Sequence, residues 1–336
     1  MSQKINYVAP HMGESRRRPS LFAAGSLFAI AALGLTFLPG ITFLLQRIFP
    51  RVDRAFFSEL SEVLFYGIFM VLPLTVYMYP REGMYDVLRL NALAPRVGII
   101  CALAGVAGML FTNFVSSLWL LLIEALGGWL PANDTLIPTT TLGLCVSIIF
   151  SAILPGFCEE VFFRGVFLRA WERFGSRKAV LVSAIWFTLL HASIGGIPAE
   201  FINGLILACI VISTNSLLAG ILYHTVYNSA TLIAAYISNF RVSTEPEIYP
   251  SFYASIGGAA GLIRILLLIE ITGLFLFALL YTLRKIRQKE GRTEFAAMPT
   301  QHYNWSWPEL TVFCSGGAVM ASWYVYNLLQ IAGVLP

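Results

Sequence analysis

The chain has 336 residues, of which 57% are apolar and only 12% charged. These proportions lie outside those of soluble domains and exclude a water-soluble globule. A net charge of +4, spread through short loops rather than gathered on one surface, also speaks against a nucleic-acid partner. The expected class is an all-α, polytopic integral membrane protein with about 8–9 transmembrane helices, in contact with membrane lipid.

In chain order, the first twenty residues read as a cytoplasmic tail that ends in S-R-R-R-P-S-L-F. A twin-arginine export signal would look similar. The apolar stretch that follows exceeds the ~7 to 15 residues of a signal core, and further spans come after it, so an uncleaved anchor is the expectation. The C-terminal G-V-L-P has no cysteine and is not a prenylation site.

Spans are expected near 21–46, 59–79, 97–124, 140–168, 179–194, 199–213, 217–238, 259–283 and 309–333, each judged against the ~20 residues that cross the hydrocarbon. The fifth and sixth are short, which leaves tilt, extension beyond these limits or re-entry open. Basic residues precede the first span (Arg16, Arg17, Arg18) and separate the second from the third (Arg81, Arg89, Arg96). Others separate the fourth from the fifth (Arg169, Arg173, Arg177, Lys178) or follow the eighth (Arg284, Lys285, Arg287, Lys289, Arg292). Segment 125–139 carries none. The positive-inside rule then puts the N-terminus in the cytoplasm of a plasma or inner membrane, with Arg47, Arg51 and Arg54 opposing that assignment. The five cysteines, Cys101, Cys145, Cys158, Cys209 and Cys314, form no C-x-x-C pair and read as small buried apolar residues. Glu124 and Glu200 are expected at membrane boundaries.

Three polar clusters interrupt the apolar pattern: Glu159, Glu160 and Arg164; Phe187 and His191; His224 and Asn228. An ionisable group in a bilayer costs about 2.5 to 3.5 kcal/mol even on lenient scales, so a functional site is the default explanation. Residues four apart share a helix face, which pairs Glu160 with Arg164, Phe187 with His191 and His224 with Asn228. Glu159 and Glu160, about 100° apart, would line two walls of one cavity. A hairpin turning at Gly175 and Ser176 brings Glu159 and Glu160 level with His191. With a second turn at 213–216, His224 lies about 15 Å below that turn and Glu159 about 15 Å below Arg169. The clusters then converge in one intramembrane pocket that opens toward the cytoplasm.

Two carboxylates, two imidazoles and an amide suit hydrolysis by an activated water: carboxylate and imidazole deprotonate it, while imidazole and amide stabilise an oxyanion. Arg164 would neutralise its partner Glu160, which leaves Glu159 as the better base. Neither G-x-S-x-G nor H-E-x-x-H is present.

E-E-V-F-F-R at 159–164, F-T-L-L-H at 187–191 and H-T-V-Y-N at 224–228, with S-L-L-A-G-I-L-Y-H leading into the last, resemble the three signature motifs of the CPBP intramembrane proteases. That family includes CAAX prenyl endopeptidases of the Rce1 type and bacteriocin-processing or self-immunity (Abi) proteins. The resemblance covers roughly 140–238, and the chain divides accordingly into the tail 1–20, N-terminal helices 21–139, a protease core 140–238 and C-terminal helices 239–336. It implies a helical core and a glutamate-dependent endopeptidase acting on peptide or prenylated protein substrates. By the same resemblance Glu159 and His191 activate water, and His224 and Asn228 form the oxyanion site. Glu160 and Arg164 would be supports, and Phe187 the aromatic before the first histidine. No cofactor is implied. Two alternatives stay open: a metalloprotease with Glu159, His191 and His224 as Zn²⁺ ligands, and a non-enzymatic transporter or scaffold using the same groups as a relay. The first three and last two spans carry no motif.

Overall fold

A computed structural model describes residues 19–52, 54–78, 87–128, 138–241, 251–289 and 303–332. The basic residues Arg16, Arg17, Arg18, Arg81 and Arg292 and most of the N-terminal tail lie outside them, as does 129–137. Every regular element among the described residues is helical, and the protein is a polytopic all-α membrane protein.

Nine long helices account for the fold of the described residues. Helix α1 is Leu21–Ile48, started by Ser20, whose Oγ accepts from Ala23 N at 3.1 Å. Helix α2 runs through Arg54–Leu64, Phe65–Val71 and Leu72–Met78, and α3 is Pro95–Ala125 with proline in its first turn. Helix α4 spans Thr141–Phe174, α5 Ser176–Leu190, α6 Ile197–Thr214 and α7 Leu217–Arg241. Helix α8 is Gly258–Lys289, preceded by the single turn Phe252–Ser255, whose first N–H groups are capped by Glu124 at 3.0 and 2.9 Å. Helix α9, Trp307–Ile331, begins with a capping box between Ser306 and Glu309.

Eight of these are long and apolar enough to cross a membrane. The exception is α5, whose 15 residues rise only about 22 Å against a hydrocarbon core of about 30 Å. It starts beside the basic residues 169–178, after a turn at Gly175 with φ of +97°, and stops at His191. Ala192 takes a left-handed φ of 51° and turns the chain through 193–196 into α6. This geometry accounts for the two short apolar runs in the sequence: α5 is short, whereas α6 extends to 18 residues.

Carbonyls at a helix end and in the turn after it lose donors of the helical ladder, which is costly where water is excluded. Here aromatic donors from distant helices supplement the local backbone bonds to Thr188 O and Ile194 O and serve Ala192 O. Tyr324 Oη donates to Thr188 O at 2.9 Å, Trp323 Nε1 to Ala192 O at 3.0 Å, and Trp119 Nε1 to Ile194 O at 2.8 Å.

Helix α4 is enclosed by α7, α2, α1 and α5, while α1 lies along α9 and α3 along α7 and α8. Twice α4 widens into turns closed by i→i+5 hydrogen bonds, at Ile149–Ile153 and at Glu160–Phe167. Close approach to α7 depends on small residues, as is usual where helices meet in lipid. A Cβ on Gly156 would come within 2.5 Å of Thr225 Oγ1. The cysteines are all free; Cys101 and Cys158 are buried as expected, but Cys145 and Cys314 lie exposed on the outside of the bundle.

Candidate active site

Glu159 ends the regular part of α4 and Glu160 opens its widened stretch. More residues per turn means a smaller angle between successive side chains, so both carboxylates reach the same histidine on α7. Glu160 Oε1 stands 3.0 Å from His224 Nδ1, and Glu159 Oε2 stands 4.0 Å from His224 Nε2. This corrects the expectation of two cavity walls. Glu159 lines the cavity; Glu160 is fully buried behind His224.

Glu160 Oε1 also accepts from Arg164 Nη1 at 2.7 Å, the i,i+4 pair that the spacing implied. Arg164 is itself fully buried, so its charge must be met on all sides. Its Nη2 donates to Gly204 O at 3.1 Å, and its guanidinium carbon lies 4.4 Å from the centroid of the Phe187 ring. The other Glu160 oxygen faces α7, where an ideal Cβ on Gly220 would stand 2.8 Å from it. Only glycine leaves the carboxylate this room.

His191 follows the last turn of α5, and its Nδ1 lies 2.8 Å from Phe187 O. The Phe187 ring packs on the imidazole with centroids 4.4 Å apart. Phe187 thus touches Arg164 on one face of the site and His191 on the other.

The two histidines share one arrangement. In each, Nδ1 faces an oxygen that can only accept, so Nδ1 carries hydrogen and Nε2 is turned toward Glu159 Oε2. The separations from that oxygen are 3.8 Å for His191 and 4.0 Å for His224. These are too long for direct hydrogen bonds and suited to bridging by one small molecule such as water. Glu159 Oε2 has no hydrogen-bond partner in the protein, and the residue is 7% exposed.

The remaining Glu159 oxygen is held from outside the motifs. Tyr66 on α2 donates its phenol to Glu159 Oε1 at 2.6 Å. Glu200 lies in the first turn of α6 with Oε2 3.4 Å from His191 Nε2. Sequence reasoning missed Tyr66 and gave Glu200 no part in the site. For Tyr66 the sequence offers no local signal; for Glu200 the signal is nine residues of separation from His191 across a turn-forming S-I-G-G-I-P.

Tyr66, Glu159, His191, Glu200, His224 and Asn228 all border one cavity of about 650 Å³, a size typical of ligand sites. Its opposite wall, from α1 and α2, mixes apolar Leu35, Leu38, Pro39 and Phe65 with polar Gln46 and Glu62. The site therefore needs helices on both sides of α4.

As a Zn²⁺ site the arrangement fits poorly. Ligands about 2.0–2.1 Å from a tetrahedral ion lie about 3.3 Å from one another, whereas Glu159 Oε2 is 3.8 and 4.0 Å from the two Nε2 atoms. No group of three or more His, Cys, Asp or Glu side chains among the described residues is disposed to hold a metal ion.

Residues 141–230 match the family described as Rce1-like, type II CAAX prenyl endopeptidase. This segment bears α4, α5, α6 and the first half of α7, and with them all seven motif residues. Tyr66, Trp119, Trp323 and Tyr324 fall outside it. No curated protein and no solved structure matches the chain.

Proposed function

We propose that this membrane protein, through its Rce1-like segment, is an intramembrane endopeptidase that hydrolyses peptide bonds with a water activated by Glu159 and His191. The observation that carries this reading is the convergence of two Nε2 atoms on an unpartnered, buried oxygen of Glu159 at 3.8 and 4.0 Å. A water seated there gives its hydrogens to Glu159 Oε2 and His191 Nε2, which leaves a lone pair for the carbonyl carbon. Glu159 is the base because Oε2 is free to take the proton while Tyr66 fixes Oε1. Glu160 also has an unpartnered oxygen, but the residue is fully buried outside the cavity lining, with Oε1 bonded to Arg164 and His224.

His224 and Asn228, one turn apart on α7, face the same cavity and are assigned to the oxyanion. With Nδ1–H given to Glu160, His224 can donate through Nε2 only as an imidazolium. Glu160 is the counter-ion for that form, so it supports catalysis without touching the substrate. No step is routed through a metal, in keeping with the poor fit of the ligand set.

Substrates in this reading are membrane-associated peptides or prenylated protein C-termini, entering from the cytoplasmic side where the basic residues 169–178 and 284–287 lie. The test is comparative proteomics of C-terminal and membrane peptides in cells carrying wild type or Glu159→Gln. Processing of at least one peptide should fall by about 10²–10⁴-fold, the usual contribution of a general base. Identical peptide profiles would leave a transporter or scaffold as the better account.

A further inference from the structure

Hydrolysis of an amide has a second proton requirement. The proton removed from water must reach the leaving nitrogen, since an amine anion is too poor a leaving group to depart unassisted. Glu159 is badly placed to deliver that proton alone: Oε1 is engaged by a 2.6 Å bond from Tyr66, and Oε2 looks toward His191. His191 has one nitrogen committed to Phe187 O and the other, Nε2, turned into the cavity between two carboxylates. The nearer carboxylate is not Glu159 but Glu200, at 3.4 Å against 3.8 Å.

Resting on the protease reading, we infer that Glu200 is a positioning residue for the second half of the reaction: it holds His191 as the imidazolium that protonates the leaving amine. The proton passes from water to Glu159 Oε2 and on to His191 Nε2 as hydroxide adds to the carbonyl carbon. The C–N bond then breaks with its electron pair going to nitrogen, and Nε2–H supplies the proton. His191 ends neutral, Glu159 ionised, and one water has been divided between the new carboxyl and the new amine. Glu200 gains and loses nothing; once the proton has left Glu159 for His191, its carboxylate at 3.4 Å is the nearer of the two that offset the imidazolium charge until the amine departs.

Its placement follows from the fold. The left-handed turn at Ala192 reverses the chain, and α6 begins at Ile197, so the first turn of α6 is brought back over the end of α5. Glu200 N is bonded to Gly196 O at 2.9 Å, which fixes the backbone from which the side chain reaches the imidazole.

The experiment compares two substrates that share one acyl segment, an ordinary peptide amide and a p-nitrophenyl ester whose leaving group needs no proton. Glu200→Gln, checked as monodisperse in detergent, should lower kcat/KM for the amide about a hundredfold and for the ester by less than about threefold. Glu200→Asp should recover part of the amide rate, and it replaces Glu200→Gln in the comparison should the latter aggregate. Equal losses on amide and ester, or no loss on the amide, would overturn the inference and leave Glu200 a packing residue. If wild type cleaves neither substrate nor any other peptide, it is the protease reading that fails instead.

Discussion

The segment 141–230 and the helices around it divide the work of the site unequally. The segment supplies every group with acid, base or amide chemistry in the three motifs, on α4, α5 and α7. The surrounding helices carry no recognisable motif, yet α2 holds the Glu159 carboxylate through Tyr66, and α3 and α9 hold the His191 turn through Trp119, Trp323 and Tyr324. Chemistry is concentrated in one stretch of chain, whereas geometry is distributed over nearly all of it. Family resemblance reports the first and is silent about the second.

Substitutions in each region can test that division. The largest effect is expected inside the segment: Arg164→Ala leaves the Glu160 carboxylate buried without its cation and should destabilise the fold by about 3–5 kcal/mol, read as a fall in unfolding temperature in detergent. Next comes Tyr66→Phe, which removes one hydrogen bond to a charged oxygen worth about 1.5–3 kcal/mol. If that energy is used to hold Glu159 in its reactive pose, kcat falls about 10- to 100-fold with little change in unfolding temperature. A loss of stability with unchanged kcat would instead make Tyr66 a structural residue. The smallest effect belongs to Trp323→Phe, which orphans one carbonyl of the His191 turn at a cost of about 1 kcal/mol. Activity should fall more than stability does, and the reverse outcome would confine α9 to a scaffold role.

The same contrast explains what the amino-acid sequence discloses. Apolar runs and i,i+4 pairs are local properties, so the membrane spans, the Glu160 to Arg164 pair and the hairpin at Gly175 are legible from a few consecutive residues. Tyr66 is 93 residues from Glu159, and Trp323 is 131 residues from Ala192. Nothing near either end of such a bond announces the other. Glu200 was hidden differently: an acidic residue in the first turn of a helix that starts with proline already has an ordinary explanation in the helix dipole. The widened turns of α4 leave no pattern in residue type either, and they alone explain why adjacent glutamates contact one histidine rather than opposite walls.

Gly220 leaves the site little room. A single added methyl group at this position, which lies in the stretch leading into the last motif and carries no chemistry of its own, would stand 2.8 Å from Glu160 Oε2 and 2.7 Å from Val211 Cγ2. Pushing that carboxylate aside would loosen Arg164 and His224 together, because both are bonded to its other oxygen. Any larger residue at position 220 must therefore displace a carboxylate carried sixty residues earlier in the chain.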